Sequence, residues 1–218
     1  KKKQIYVNII IIMNKNKVKR IMLKLSENFS DKPALEFGTP YQLLIAVMLS
    51  AQCTDARVNK VTEKLFLNYG TPEKMIELTQ EELEKYIFSC GLYKTKAKHI
   101  LQATNDILQK HGGQVPNSFD KLSALSGVGR KTANVVCSVA FGKNAIAVDT
   151  HVYRVSKRIG LAQGKTPLEV EKSLMSNIDE QDWRRAHHYL IYLGRSFCKA
   201  HGYDCDNCPI KEECEKKL

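Results

Sequence analysis

The chain has 218 residues, of which 43% are hydrophobic, and a formal net charge of +11. This apolar content supports a folded core and excludes a disordered chain, and no run approaches the ~20 apolar residues that span a bilayer. The basic charge suggests a nucleic-acid partner, but residues 1–24 contribute eight of the eleven charges, so charge alone is weak evidence for DNA. We expect a cytoplasmic, nucleoid-associated protein.

The first residues, "KKKQIYVNIIII", place a basic start before an apolar run, as signal peptides do. The run is too short, however, and no small-residue cleavage site follows it. Met13 then begins "MNKNKVKRIMLKL", which has the pattern of a natural start followed by a basic amphipathic helix. We therefore expect residues 1–12 to be a non-native or disordered extension.

From residue 17 onward the apolar spacing is helical nearly everywhere. Thr39 before Pro40 predicts a helix start, and Asp55 and Gly70 are the predicted cap and stop of the following helix. The same pattern recurs in "TPEKMIELTQ", "TQEELEKYIFSCG" and "LYKTKAKHILQATNDILQKHGG". Only "NAIAVDT" could be a strand, and it is too short to found a sheet. The chain is therefore predicted to be all-α, with about ten short helices.

The segment "LSALSGVGRKTANVVCSVAFG" has a helix-hairpin-helix pattern, in which one helix ends at Gly127-Val128-Gly129 and another begins at once. Two glycines remove side-chain bulk from the turn. Its backbone N–H groups, and those of the next helical turn from Arg130 to Thr132, can then bind a phosphate oxygen. An ordinary helix–turn–helix connection shares this short pattern, but the flanking apolar positions and the basic chain favour contact with a DNA backbone.

Lys131 lies at the second position of that second helix, where the helix dipole disfavours a positive charge. An amine is nucleophilic only when deprotonated, and the helix start, the neighbouring Arg130 and partial burial all favour loss of the proton. Such an amine could form a Schiff base with a sugar aldehyde carbon. Most basic residues near such hairpins only contact a phosphate, and the spacing alone leaves both roles equally open.

Asp149 follows the apolar "AIAV" and is predicted to cap the helix "THVYRVSKRIG", which Gly160 would end. Capping alone would explain this aspartate. A carboxylate at this place could also stabilise an oxocarbenium-like sugar or transfer protons, and the two roles are compatible.

Seven cysteines, an odd number, argue against a secreted disulfide framework. Three are scattered in apolar segments, where a small buried side chain is the simplest explanation. The other four crowd into the last 21 residues with the spacing C-x6-C-x2-C-x5-C: Cys198, Cys205, Cys208 and Cys214. Four thiolates suit a tetrahedral zinc or a [4Fe–4S] cluster. The inner C-x2-C favours zinc slightly, and the spacing does not separate the two.

Taken together, these segments resemble the endonuclease III family of helix-hairpin-helix DNA glycosylases and abasic-site lyases. The resemblance extends from Met13 to Cys214 and is most specific in "MLSAQCTDARVNKVT", "CGLYKTKA", "GVGRKTANVV", "AVDTHVYRV", "HHYLIYLGRSFC" and the cysteine tail. It implies an all-α, two-domain fold: a six-helix barrel over residues 33–143, and an iron–sulfur cluster domain built from residues 13–32 and 144–218.

The family implies that Lys131 attacks C1′ of a flipped-out damaged pyrimidine nucleotide, displaces the base and holds the sugar as an imine until β-elimination nicks the strand. Asp149 would assist base loss and proton transfer. Gln52 would fill the gap in the duplex while Leu92 wedges the opposite strand. From the residues alone, the simpler interpretation of these two is a polar residue at a helix end and an exposed loop leucine.

The resemblance also implies a structural [4Fe–4S] cluster, rather than zinc, on the four tail cysteines. The expected function is base excision repair of oxidised pyrimidines and abasic sites in double-stranded DNA, by a monomer without a membrane partner. An adenine-mismatch glycosylase of the same superfamily is the nearest alternative, and Lys131 counts against it because that class normally lacks the lysine. A non-catalytic DNA-binding module with a structural or redox cluster is the alternative from another class.

Two features depart from the family pattern. Ser126 stands where many relatives have proline before the glycine turn, which should loosen the turn slightly. The segment "KAHGYD", between Cys198 and Cys205, offers only Lys199 as a firm cation. Relatives are often more basic there, so a DNA contact by this loop is in doubt.

Overall fold

The structure, a computed structural model, describes residues 14–217, and the extension predicted over residues 1–12 lies outside this range. Within the described range every regular element is helical, which confirms the all-α prediction. The helices are α1 Lys15–Asn28, α2 Pro40–Leu49, α3 Asp55–Tyr69, α4 Pro72–Met75, α5 Gln80–Ile87, α6 Tyr93–His111, α7 Phe119–Ser123, α8 Arg130–Phe141, α9 Thr150–Arg158, α10 Pro167–Asn177 and α11 Trp183–Ser196, with a 3₁₀ helix Glu180–Asp182 before α11. None of these described helices is long and apolar enough to cross a membrane.

Side-chain caps begin most of these helices, as the sequence predicted. Thr39, Thr71 and Thr79 cap α2, α4 and α5. The prediction that Asp55 caps α3 is wrong by one residue, because the hydroxyl of Thr54 accepts the Arg57 N–H at 3.3 Å instead. Asp55 becomes the first helical residue, where its negative charge suits the helix dipole.

Residues Lys32–Ala147 form one compact unit that contains α2 to α8. Its centre is α2, in which eight of ten residues are buried, so this helix is enclosed on all sides rather than on one face. It packs against α8, α3 and α6. Apolar side chains from these helices, such as Leu44, Leu65, Ile100 and Val136, belong to one core cluster. This core therefore positions the starts of α6 and α8.

The other unit combines residues 14–31 with 148–217. Helix α9 packs against α10 and α11, and α1 packs against α11 with Ile21 and Leu25 fully buried. Ion pairs connect α1 to the C-terminal segment: Lys17 to Glu215 at 3.0 Å, and Lys24 to Glu212 and Glu213 at 3.0 Å each. The segment that carries the cysteines is thus attached to the helix at the other end of the chain.

Candidate functional site

The glycine turn joins α7 to α8 and is closed by a backbone bond from Val128 N–H to Leu125 O at 3.1 Å. Gly127 has φ +72°, and a Cβ added there would lie 2.7 Å from His99 Cβ, so the position requires glycine. Gly129 has φ −83°, and no atom lies within 4 Å of an added Cβ. The first glycine is needed for the turn itself, and the second leaves open space in front of it.

Helix α8 begins without a side-chain cap, because Gly129 is its N-cap residue. The N–H groups of its first turn have no acceptor within the helix, and no acidic residue occupies this turn. Gly127 and Gly129 are exposed, and the exposed Arg130 guanidinium lies 4.9 Å from the centroid of the Phe119 ring. Backbone donors, the positive end of the helix dipole and a cation are therefore presented together, which suits an anionic ligand such as a phosphate.

Lys131 and Thr132 occupy the same first turn and are both half-buried. The residues that follow, from Ala133 onward, enter the core, so the hydrophobic face of α8 fixes the backbone of Lys131. Because Cα–Cβ bonds in a helix tilt toward its N-terminus, the Lys131 side chain starts out toward the glycine turn. The structure thus brings Lys131, Arg130, Thr132 and both glycines together.

Ser126 connects the glycine turn to α6. Its hydroxyl donates to Gln102 Oε1 at 2.8 Å, and the Ser126 hydroxyl oxygen also lies 2.8 Å from His99 Nδ1. These two side-chain hydrogen bonds to α6 restrain the turn. They oppose the loosening that the absence of proline would cause, and the sequence alone did not predict them.

Gln52 and Leu92 both have left-handed backbone conformations, with φ +53° and +59°. This conformation costs a residue with a Cβ about 1–2 kcal/mol, and such strain clusters at functional sites. Both side chains are exposed, that of Leu92 by 59%. A Cβ added to Gly91 would lie 3.5 Å from Gln52 O, so the two turns are neighbours. The sequence contained no signal for this strain.

Lys96 is a buried residue between these two turns that the sequence analysis missed. Lys96 as a whole is only 7% exposed, and its Nζ donates to Leu49 O at 2.8 Å and to Ala51 O at 2.7 Å. Burial lowers the pKa of Lys96, and the nearby thiols of Cys90 and Cys53 partly offset this effect. Burial is the main cause that raises the pKa of Cys90 to about 11, and a hydrogen bond with Cys53 is the second.

Asp149 lies in the other unit and caps α9, as predicted. One carboxylate oxygen accepts the Val152 N–H at 2.8 Å, and the residue is half-buried. Burial lowers the pKa of His151, and the negative charge of Asp149 opposes that shift. The predicted stop Gly160 follows α9 with φ +80°. The cap fixes the Asp149 side chain at the start of α9.

The tail cysteines Cys198, Cys205, Cys208 and Cys214 are all partly buried. Arg158, the last residue of α9, donates to Lys199 O at 2.6 Å and lies 3.9 Å from Cys198 Sγ, while Cys214 Sγ donates to Arg158 O at 3.9 Å. Cys208 interacts electrostatically with the other three thiols, and burial raises the pKa of Cys208 and of Cys214.

Four thiols in one segment are the donor set that a zinc ion or an iron–sulfur cluster takes. Over residues 14–217, however, no three His, Cys, Asp or Glu side chains are arranged as a formed metal site. The structure therefore brings four thiol donors near one another, and either kind of centre accepts such a set.

Comparison with known proteins identifies the family. The family described as "HhH-GPD superfamily base excision DNA repair protein" matches residues 45–180. The chain is 50% identical over 200 residues to endonuclease III of Rickettsia felis, covering 92% of this chain and 93% of that protein. It is 51% identical over 183 residues to endonuclease III of Bacillus subtilis, covering 84% of each.

A solved structure of a trapped endonuclease III–DNA covalent intermediate is similar throughout, with a TM-score of 0.89 and 47% identity over 94% of this chain and 97% of that chain. The helical architecture, the glycine turn with its lysine and the extent of these matches lead to one conclusion. The chain belongs to the endonuclease III family of helix-hairpin-helix base excision DNA repair proteins.

Proposed function

We propose that Lys131 is the nucleophile and Asp149 the proton-transferring carboxylate of this chain, which is a bifunctional DNA glycosylase and abasic-site lyase of base excision repair. Its substrates are oxidised pyrimidines and abasic sites in double-stranded DNA. The observation that carries the proposal is the place of Lys131, half-buried in the uncapped first turn of α8 directly after the glycine turn.

The glycine turn holds the DNA backbone in this proposal. The N–H groups of Gly129, Arg130, Lys131 and Thr132 donate to a phosphate, and the Arg130 guanidinium adds a positive charge. Gly127 allows the turn its left-handed backbone, which an added Cβ would obstruct at His99. These contacts position the sugar without reading the sequence.

The Lys131 amine attacks C1′ of the damaged nucleotide, and the C1′–N bond breaks so that the base leaves with its bonding electrons and a proton. The C1′–O4′ bond then breaks, O4′ takes up a proton and becomes a hydroxyl group, and the opened sugar remains on Lys131 as an iminium ion. This cation accepts the electrons released when a proton leaves C2′, and the C3′–O bond breaks by β-elimination. Hydrolysis of the imine frees Lys131. Asp149 stabilises the cationic sugar and transfers the protons in these steps.

Gln52 and Leu92 occupy the duplex when the damaged nucleotide is extruded, Gln52 in the vacated space and Leu92 in the opposite strand. Three structural observations support these roles: both residues are exposed, both lie at the tip of a strained turn, and the two turns are adjacent. Extrusion leaves unstacked bases that a side chain must contact if the open state is to persist. A preformed turn supplies that contact with little further ordering.

The tail cysteines hold a [4Fe–4S] cluster in this proposal, on the strength of family membership and the four-thiol donor set. When bound, the cluster provides four thiolate crosslinks within the tail. Arg158 and α1 attach the same segment to the rest of its unit, through the bonds to Lys199 and the ion pairs of Lys17 and Lys24. We assign the cluster a structural role. Iron and acid-labile sulfide analysis tests its identity, and a colourless native protein containing only zinc would contradict it.

The two compact units correspond, in this proposal, to the domains of the family. Residues 33–143 would be the six-helix barrel domain, and residues 13–32 with 144–218 the cluster domain. The bounds of the compact units, 32–147 and 14–31 with 148–217, differ from these by at most four residues at the shared boundaries. Structures of endonuclease III with DNA, covalent and non-covalent, are among the proteins that this chain resembles and support DNA as the partner. We further propose that the enzyme acts as a monomer, in the cytoplasm and at the nucleoid.

Strand cleavage of two labelled duplexes tests the assignment, one with thymine glycol and one with an abasic site. Lys131→Gln should lose base release and strand cleavage together, whereas Asp149→Asn should slow base release more than cleavage of the preformed abasic site. Lys143→Gln is the matched control, since Lys143 is an exposed lysine just beyond the other end of α8. Lys131→Gln with wild-type activity on both duplexes would contradict the proposal.

A further inference from the structure

We propose that Lys96 is a positioning residue for nucleotide extrusion, which fixes the turns of Gln52 and Leu92 together in the conformation that enters DNA. This inference rests on the roles proposed above for Gln52 and Leu92. It concerns a side chain that makes no contact with substrate in that mechanism. Its basis is the set of hydrogen bonds that one residue makes to both turns.

Lys96 is bonded to each turn by a different part of the residue. Its backbone N–H donates to Leu92 O at 3.0 Å, which begins α6 directly after the left-handed Leu92. Its side-chain Nζ donates to Leu49 O at 2.8 Å and to Ala51 O at 2.7 Å, and Ala51 is the residue immediately before Gln52. One residue thus spans the short distance between the two strained turns.

The ammonium donates to two carbonyl groups at and just beyond the end of α2. Leu49 is the last residue of α2 and is fully buried, so its carbonyl is one of the orphan acceptors at a helix end. Ser50 O already accepts from Cys53 N–H at 3.1 Å, which closes the turn around Gln52. The negative end of the α2 dipole favours a cation here. Without Lys96, two carbonyls beside Gln52 would lose their donors.

The strain in both turns explains why they need such a restraint. A residue with φ near +55° relaxes to an ordinary conformation unless its surroundings prevent it. Gln52 and Leu92 carry this strain, and their turns are adjacent, because a Cβ added to Gly91 would lie 3.5 Å from Gln52 O. A buried ammonium is itself unfavourable, since burial lowers the pKa of Lys96. The backbone strain and the buried ammonium therefore occur together, at the place where the Gln52 and Leu92 side chains must be held in position for insertion.

The test compares two DNA substrates. A duplex with thymine glycol requires extrusion and insertion, whereas a single-stranded oligonucleotide with an abasic site has no opposite strand to wedge. Lys96→Met removes the charge and both donors and keeps an unbranched side chain. We expect kcat on the duplex to fall about ten-fold or more, because small misplacements have effects of that size, while borohydride trapping on the single strand stays within about two-fold of wild type.

A spectroscopic measurement reports the insertion step directly. 2-Aminopurine placed opposite the lesion fluoresces more strongly when it is unstacked, so wild-type protein should raise the signal and Lys96→Met should not, at DNA concentrations that saturate both. Lys98→Met is the matched control, because Lys98 is exposed on the same helix and its substitution removes the same charge. It should retain both the fluorescence rise and the ratio of the two activities.

Retained duplex excision and fluorescence in Lys96→Met would overturn the inference, and so would an equal loss on both substrates in a folded variant. If circular dichroism shows that Lys96→Met is unfolded, Lys96→Arg takes its place. This variant keeps the charge, but its larger head group displaces both carbonyls. Excision on the duplex should then fall more than trapping on the single strand. An unchanged ratio there also overturns it. Failure of wild-type protein to be trapped on the single strand would instead contradict the proposed function of Lys131.

Discussion

Gly127 is the position in the glycine turn where an added methyl group should be most damaging. Its φ of +72° would cost a residue with a Cβ about 1–2 kcal/mol, and a Cβ 2.7 Å from His99 Cβ adds an overpacking cost of about 1–3 kcal/mol. Gly127→Ala should therefore lower the free energy of unfolding by about 2–5 kcal/mol. At Gly129 φ is −83° and the space is open, so Gly129→Ala should cost at most about 1 kcal/mol, the cost of a poorer N-cap.

Thermal unfolding followed by circular dichroism measures this difference. A loss of 1 kcal/mol lowers Tm by about 2–4 °C in a protein of this size, so Gly127→Ala should unfold at a temperature several degrees below Gly129→Ala. Binding to an abasic duplex should also separate the two variants. Gly129→Ala should bind more weakly at nearly unchanged Tm, because its methyl group enters the open space in front of the turn where a phosphate would bind. Equal Tm values for the two variants would refute this account of the turn.

Two further predictions concern the stability contributions of two polar side chains, the partly buried Ser126 and the buried His188. Ser126→Ala removes the hydrogen bonds to Gln102 and His99 and should lower the free energy of unfolding by about 1–2 kcal/mol, and a Tm equal to that of wild type would contradict this. Burial lowers the pKa of His188 from 6.5 to about 3, so the unfolded chain binds this proton first as the pH falls, and stability is lost below pH 6.5. His188→Phe should reduce the loss between pH 7 and 5 by about 2 kcal/mol in urea titrations, whereas identical losses in both proteins would show that another group is responsible.

Local chemistry made much of the fold predictable. A threonine before proline or before a glutamate-containing first turn specifies a helix start within a few residues, as at Thr39 and Thr79. The error at Asp55 shows the limit of this reasoning, since Thr54 and Asp55 are both good N-caps and backbone geometry decided between them. Gly127 was predictable for the same local reason, because a tight turn between two apolar helices needs a left-handed residue.

Features that depend on distant parts of the chain were not predictable in this way. Lys96 shares a helix face with the buried Ile100 and Ala103, which is the only local sign that it points inward. Its acceptors lie more than forty residues earlier in the sequence, and only tertiary structure brings them together. The strain at Gln52 and Leu92 carries no sequence signal at all, since left-handed residues are usually glycine or asparagine.

The identity of the metal centre on the tail cysteines is a third feature that the sequence pattern alone did not predict. The spacing of the four tail thiols favours zinc only slightly, and the partly buried cysteines suit either zinc or an iron–sulfur cluster. Membership of the endonuclease III family is what favours the [4Fe–4S] cluster here.

Borohydride trapping tests the central claim most directly, that the Lys131 amine forms a Schiff base with the sugar. Protein is incubated with a duplex containing an abasic site, sodium borohydride is added, and peptide mapping locates the reduced adduct. The wild-type protein should form a covalent adduct at Lys131, and Lys131→Gln should form none. No adduct with wild-type protein, or an undiminished adduct with Lys131→Gln, would contradict the account.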